Sequence, residues 1–360
     1  MTRQTRVTAS IIACGVLLAG TAMNGQTAAA PPSGAGAVIG TGTFTSFVEN
    51  MDRSLAFYRD AFGMEVPALP ASGERPYNAA NPRLFDMFDI AGAKERHQSA
   101  RVAGTAVTVE IMEIQNVPHD TIPMRPQDPG TATLVFVVRD LDAALARAKQ
   151  ANAAVVTPGG APVALADGTR AILIRDVDTR LIELRQAAAP AAANAPAANV
   201  TEMRLSIGVA DLERTVRVYR DVLGFTVAGE TPFSADAGTR SLTGLNKAEV
   251  RRARVQGPGS MLWIELVEYK GVDRASHRMR IQDRGAARLQ LRAQNLDALV
   301  DSMKRAGLAI VSTGGTAVPI PPNLKGALVA DPNNFFLTPF APCDGCTSRT
   351  PPPSAAPAQH

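Results

Sequence analysis

Val48–Met64 reads VENMDRSLAFYRDAFGM, and Val209–Phe225 reads VADLERTVRVYRDVLGF. The two stretches are one pattern used twice. Each leaves an apolar strand, turns on Asn50 or Asp211, and runs about three helical turns to a glycine, Gly63 or Gly224. Asn and Asp are good N-caps because the side-chain oxygen accepts an N–H that the first helical turn leaves free. Met51, Leu55, Tyr58 and Phe62 recur at i, i+4, i+7 and i+11, the apolar stripe of one helix, and Leu212, Val216, Tyr219 and Leu223 repeat it. Glycine then accepts the left-handed backbone that ends the helix.

Working outward, Thr41–Val48 is the strand before the first helix. A short helix over Leu84–Ile90 and strands near Ser99–Val102 and Ala106–Ile114 follow it, giving β-α-β-β-β. The order returns in weaker form. Thr133–Val138 is a strand, Asp140 a cap, Leu141, Leu145 and Ala148 a stripe, Asn152 a stop, and Leu181–Leu184 the closing strand. In the second half Asn295, Leu296, Val300, Met303 and Gly307 restate that second helix. The spacings agree: Glu110 to Gln127 and Glu265 to Gln282 are both 17 residues, and Asp140 to Glu183 and Asn295 to Thr338 are both 43. An internal repeat of this length predicts an α+β fold of four βαβββ modules in two homologous halves, 37–186 and 200–341. Between them lies the Ala/Pro stretch 187–199, a linker by composition, and 342–360 is a Pro-rich tail.

The chain has 360 residues, 46% hydrophobic and 19% charged, with net charge +4. That balance belongs to soluble globular proteins. With no basic run, it argues against nucleic acid or a membrane surface as partner. Residues 1–28 read as a signal peptide: Arg3 and Arg6, then an apolar run to about Met23, then small residues, with cleavage expected near Ala22 or Ala28. Lipidation at Cys14 and an uncleaved anchor are the alternatives. The expected location is periplasmic or extracellular. There, Cys343 and Cys346 favour a local disulfide; a redox site or zinc site would need a helix start or further ligands.

The motifs Val48-Glu-Asn-Met-Asp-Arg-Ser54 and Val209-Ala-Asp-Leu-Glu-Arg-Thr215, each with Tyr-Arg-Asp downstream, resemble the vicinal oxygen chelate superfamily. So do the endings Asp176-Val-Asp-Thr-Arg-Leu-Ile-Glu183 and Asp331-Pro-Asn-Asn-Phe-Phe-Leu-Thr338. That superfamily includes glyoxalase I, bleomycin-resistance proteins and extradiol dioxygenases. The resemblance implies paired modules whose curled sheets enclose a cleft. It also implies a metal ligand, usually His, seven residues before each helix cap, and a Glu on each module's last strand. Here those positions are Thr43, Thr133, Arg204 and Arg288, then Glu110, Glu183, Glu265 and Thr338. None is His.

In the first half, Glu110 and Glu183 are expected to share a cleft, either hydrogen-bonded or holding a divalent Mg²⁺ or Mn²⁺. In the second, Arg204, Glu265 and Arg288 are expected to form one cluster, structural or built for an anionic ligand. Arginine has donors only and does not ligate a cation. These five residues are the candidate ligand-binding set. His119 reads as a loop residue, with a general base over the cleft as its alternative, and Trp263 reads as core or cleft wall. Two functions stay open. One is lyase, isomerase or dioxygenase-type chemistry on a small molecule. The other is non-catalytic small-molecule binding of the bleomycin-resistance type. The ligand and the oligomeric state are not legible.

Overall fold

The computed structural model describes residues 36–73, 75–77, 82–186, 198–343 and 346. All lie in one compact unit, Pro31–His360. The expected signal peptide, most of the linker and most of the tail lie outside the described residues. Cys343 and Cys346 form the expected disulfide. Among the described residues no helix is long and apolar enough to cross a membrane.

Four modules are present. Their main helices, Met51–Phe62, Leu141–Gln150, Leu212–Arg217 and Leu296–Arg305, each begin at the predicted cap. Asn50, Asp140, Asp211 and Asn295 accept the N–H of Arg53, Ala143, Arg214 and Ala298 at 2.9, 2.9, 2.9 and 3.2 Å. The third helix continues as a π-helical turn over Val218–Val222. Asn152, at φ 71°, takes the left-handed stop expected of it. The stripe residues are buried and join strands of all four modules in one core, where Phe62 of the first module packs edge-on against Phe136 of the second at 4.9 Å.

The short helix runs over Pro82–Phe88, and the strand expected near Ser99–Val102 is longer, Lys94–Arg101. Its first half is charged, which hid it. Arg96 turns inward and pairs with the buried Glu113 at 2.7 Å, so a polar residue occupies an interior position.

Two nine-stranded mixed sheets result, and each takes modules from both halves of the chain. In one sheet, Val38–Val48 of the first module lies between Thr108–Gln115, parallel, and Ala287–Ala293 of the fourth, antiparallel. Phe336–Pro342 follows beyond. In the other, Val200–Val209 of the third module lies between Trp263–Lys270, parallel, and Ala132–Val138 of the second, antiparallel, with Leu181–Gln186 beyond. The modules thus pair first with fourth and second with third. This corrects the expectation that each half of the sequence closes a cleft of its own.

Two reciprocal clasps tie the connecting segments. Asp283 accepts the N–H of Asp120, and Asp128 that of Ala275, both at 2.8 Å. Arg280 bridges Asp283 and Asp120, while Arg125 bridges Asp128 and Asp273. Between the sheets the buried Arg180 donates to the carbonyls of Ala132, Gly285 and Ala286 and to the hydroxyl of Ser46. One side chain therefore ties the first residue of Ala132–Val138 to the turn that enters Ala287–Ala293 of the other sheet.

Candidate functional site

Strand register decides which candidates meet. In the first–fourth sheet, Arg288 lies beside Thr45, which lies beside Glu110. The Arg288 guanidinium reaches Glu110 at 3.2 Å and donates to the Thr45 hydroxyl at 3.2 Å, and that hydroxyl donates to Glu110 at 2.6 Å. Burial alone would raise the Glu110 carboxyl. Arg288 and the Thr45 hydroxyl outweigh it and hold the carboxyl below its ordinary range. Burial likewise lowers Arg288, whose guanidinium stacks on Phe88 and Phe47 at 5.1 and 5.8 Å.

An apolar cluster including Phe47, Phe85, Phe88, Met112 and Phe336 fills the rest of this concave face. Thr338 is buried there, and Thr43 lies at a register shift of its strand. His97 pairs with Glu95 at 2.9 Å, a hydrogen bond that raises its pKa.

The second–third sheet is different. Here Thr133 lies beside Ser206, and Ser206 beside Glu265, with Glu183 two strands from Ser206. These residues line a cavity of about 200 Å³ that also receives Arg185, Arg252, Asp236 and Tyr269. Gly208 stands three residues before its helix cap, as Phe47 does in the other sheet. A side chain there would press on the carbonyl of Asp128, 2.6 Å from a built Cβ. One cleft is plugged by an aromatic ring where the other has no side chain at all.

Within the hollow cleft Arg185 pairs with Glu183 at 2.7 Å, and Arg252 stands 3.5 Å from Glu265 and 3.8 Å from Asp236. Trp263, Arg204 and Arg254 line an adjoining recess that shares Glu183, Arg185, Ser206 and Glu265 with the cavity. Arg204 itself folds back on Glu202 at 2.7 Å.

Two expectations are corrected. Glu110 and Glu183 belong to different sheets, so they do not share a cleft or an ion. The cluster of Arg204, Glu265 and Arg288 does not form, because Arg288 lies in the first–fourth sheet. His119 is the exposed loop residue that the sequence predicts, meeting Arg284 at 3.0 Å and lining neither cleft. The reading of Trp263 as cleft wall holds.

Thr45, Ser206, Arg185, Arg252 and Tyr269 were missed. Strand alternation could have found the last, since Glu265 and Tyr269 lie on one face, four residues apart. The metal implied by resemblance does not fit these donors. In the first cleft Glu110 is served by the guanidinium of Arg288 and Glu95 by the ring of His97. In the second both glutamates have arginine neighbours. Among the described residues no three His, Cys, Asp or Glu side chains stand together as ligands.

Comparison with known proteins agrees with this architecture. The model of the Glyoxalase/Bleomycin resistance protein/Dioxygenase superfamily matches residues 40–184 and 203–332. Glyoxalase I from Zea mays superposes with a TM-score of 0.50 at 16% identity, over 86% of this chain and 92% of that one. A point mutant of that enzyme gives 0.51 at 15%, over 85% and 94%. A putative dioxygenase from Bacillus subtilis subsp. subtilis str. 168 gives 0.50 at 10%, over 86% and 87%. At such identities the likeness concerns the fold. No curated protein matches. With both repeats matched and four modules curled into two sheets, the chain belongs to the Glyoxalase/Bleomycin resistance protein/Dioxygenase superfamily.

Proposed function

We propose that this is an exported protein that binds a small molecule in the cleft between its second and third modules. One observation carries the reading: of two clefts built on one plan, the first–fourth is filled by Phe47 and its neighbours, and the second–third keeps about 200 Å³ with charged groups facing inward. Interiors normally pack without such voids, and a cavity lined by both apolar walls and convergent polar groups is the usual form of a ligand site. Export rests on the residues before Ala28 and agrees with the Cys343–Cys346 disulfide.

A second reading, proton transfer, is favoured by Glu265. Its carboxylate faces the cavity and accepts no hydrogen bond from the described residues, the nearest cations being Arg252 at 3.5 Å and Arg254 at 3.8 Å. An inward carboxylate of this kind is a candidate base for a bound carbon or hydroxyl acid.

Trp263 is the only tryptophan in the chain and borders the cleft. Titrating small-molecule extract fractions against its fluorescence tests the proposal directly. A saturating change is expected in the wild type and not in Ser206→Phe, which fills the cleft floor. An equal response in both proteins would refute the reading.

A further inference from the structure

A smaller cavity lies where the two repeats meet, and its lining comes in matched pairs 155 residues apart. Gly130 stands with Gly285, Thr179 with Asn334, and Arg180 with Phe335. The cavity measures about 20 Å³, room for one water molecule and little more. Its two sides differ. A Cβ built on Gly130 meets the carbonyl of Asn333 at 2.3 Å, whereas one built on Gly285 has the matching carbonyl, of Asp178, at 3.9 Å. The space therefore opens on the Gly285 side. Around the same built Cβ stand the Thr179 hydroxyl at 3.5 Å and the Ile122 carbonyl at 3.7 Å.

Thr179 is the unusual member of its pair. Its hydroxyl oxygen is buried and has no hydrogen-bond partner among the described residues. Its backbone is left-handed, at φ 70°, as is that of Asn334 at φ 65°. Asparagine enters that region readily, while a β-branched residue there is a true outlier. Asn334 also directs its amide elsewhere, to the carbonyl of His277 at 3.3 Å. Strain and an unsatisfied hydroxyl each cost free energy, and both fall on one residue beside a cavity. Something bound there would offset the second.

We propose that this cavity is the site of one ordered water, which accepts from the Thr179 hydroxyl and donates to the carbonyls of Ile122 and Asp178. Buried waters make about three such bonds. The surroundings select a neutral molecule. Arg180 lines the cavity, and Arg175 donates to the carbonyls of two lining residues, Thr179 and Met124, at 2.7 and 2.8 Å. Two guanidinium groups repel a cation, and carbonyl oxygens turned inward repel an anion. Water both donates and accepts, as these partners require. It would join the turn at Asp178 and Thr179 to the segment through Ile122, close to the bonds that Arg180 makes between the sheets.

The test is a high-resolution crystal structure of the full chain, and it does not depend on the second–third cleft being a binding site. One spherical peak is expected in the cavity, within hydrogen-bond distance of the Thr179 hydroxyl. Crystals grown in bromide separate water from an anion, since an anomalous peak at that point would overturn the proposal. Thr179→Val keeps the size and the strained backbone but removes the hydroxyl. It should lose the peak and melt about 2 °C or more below Thr179→Ser, which should keep the peak. No peak in the wild type, or the same peak in Thr179→Val, would overturn the proposal. So would a Thr179→Val protein that melts with Thr179→Ser. Should Thr179→Val fail to fold, the wild-type and Thr179→Ser maps decide.

Discussion

Arg288 and Glu110 face each other at 3.2 Å in a cleft sealed by Phe47 and Phe88. The pair is no surface bridge, with side chains 4% and 13% exposed. Removing one member of a buried pair strands the other. Glu110→Ala should lower unfolding free energy by about 3–5 kcal/mol, measured by urea denaturation, and leave the Trp263 response of the other cleft unchanged. A loss under about 1 kcal/mol, the range of exposed pairs, would show that the cleft is solvated.

Arg180 should be as costly to remove. It donates to three carbonyls, of Ala132 in one sheet and of the turn at Gly285 and Ala286 that enters the other, and its equivalent in the second repeat is the buried Phe335. Arg180→Ala removes those bonds, although the Ala286 carbonyl keeps the N–H of Phe47. A destabilisation of at least about 3 kcal/mol is expected by denaturant titration, from several lost hydrogen bonds at about 1 kcal/mol or more each. If Arg180→Met proved as stable as the wild type, the bonds would not be what holds the sheets.

Asp331 gives stability a pH dependence. Burial pushes its carboxyl up to about 6, against the N–H groups of Asn333 and Phe335 that pull the other way. An unfolded aspartate titrates near 3.9, about two units lower. The folded chain therefore binds this proton more tightly, and the contribution is present at low pH and lost as pH rises from about 4 to about 6. Asp331→Asn should make the decline in stability across that window shallower, read from melts at fixed ionic strength. An unchanged slope would mean that Asp331 is ionised throughout.

Gly208 should resist substitution for a reason its backbone angles do not supply. A Cβ there meets the Asp128 carbonyl at 2.6 Å, and backbone does not yield as a long side chain does. Gly208→Ala should cost about 1–3 kcal/mol and shift the segment that roofs the cleft. Full stability with unchanged Trp263 fluorescence would contradict this.

Much of the fold was legible in the sequence because caps and stripes are local. Asn50, Asp140, Asp211 and Asn295 each announce a helix to the residue, and matched spacings announce the repeat. Which modules share a sheet is not a local matter. Thr45 meets Arg288 across most of the chain, and nothing near either residue says so. That is why Glu110 and Glu183 looked like partners and are not. The charged strand at Lys94–Arg101 was half hidden for a related reason, since Arg96 is interior only because Glu113 waits opposite. The hollow of the second–third cleft depends on Gly208 and on Tyr269, neither of which stands in a motif.

The seams between the two repeats have a consequence for how the chain came to hold together. Val38–Val48 and Ala132–Val138 belong to one repeat, and each finds its antiparallel neighbour in the other. A single repeat would carry two bare strand edges, and a second copy of itself would be the matching surface for both. The architecture is that of a two-fold dimer written as one polypeptide. Residues 187–199 turn an encounter between molecules into a closure within one, so assembly of both sheets is independent of protein concentration. Freed from the demand that two identical clefts be built, one side was at liberty to fill with aromatic rings while the other stayed open.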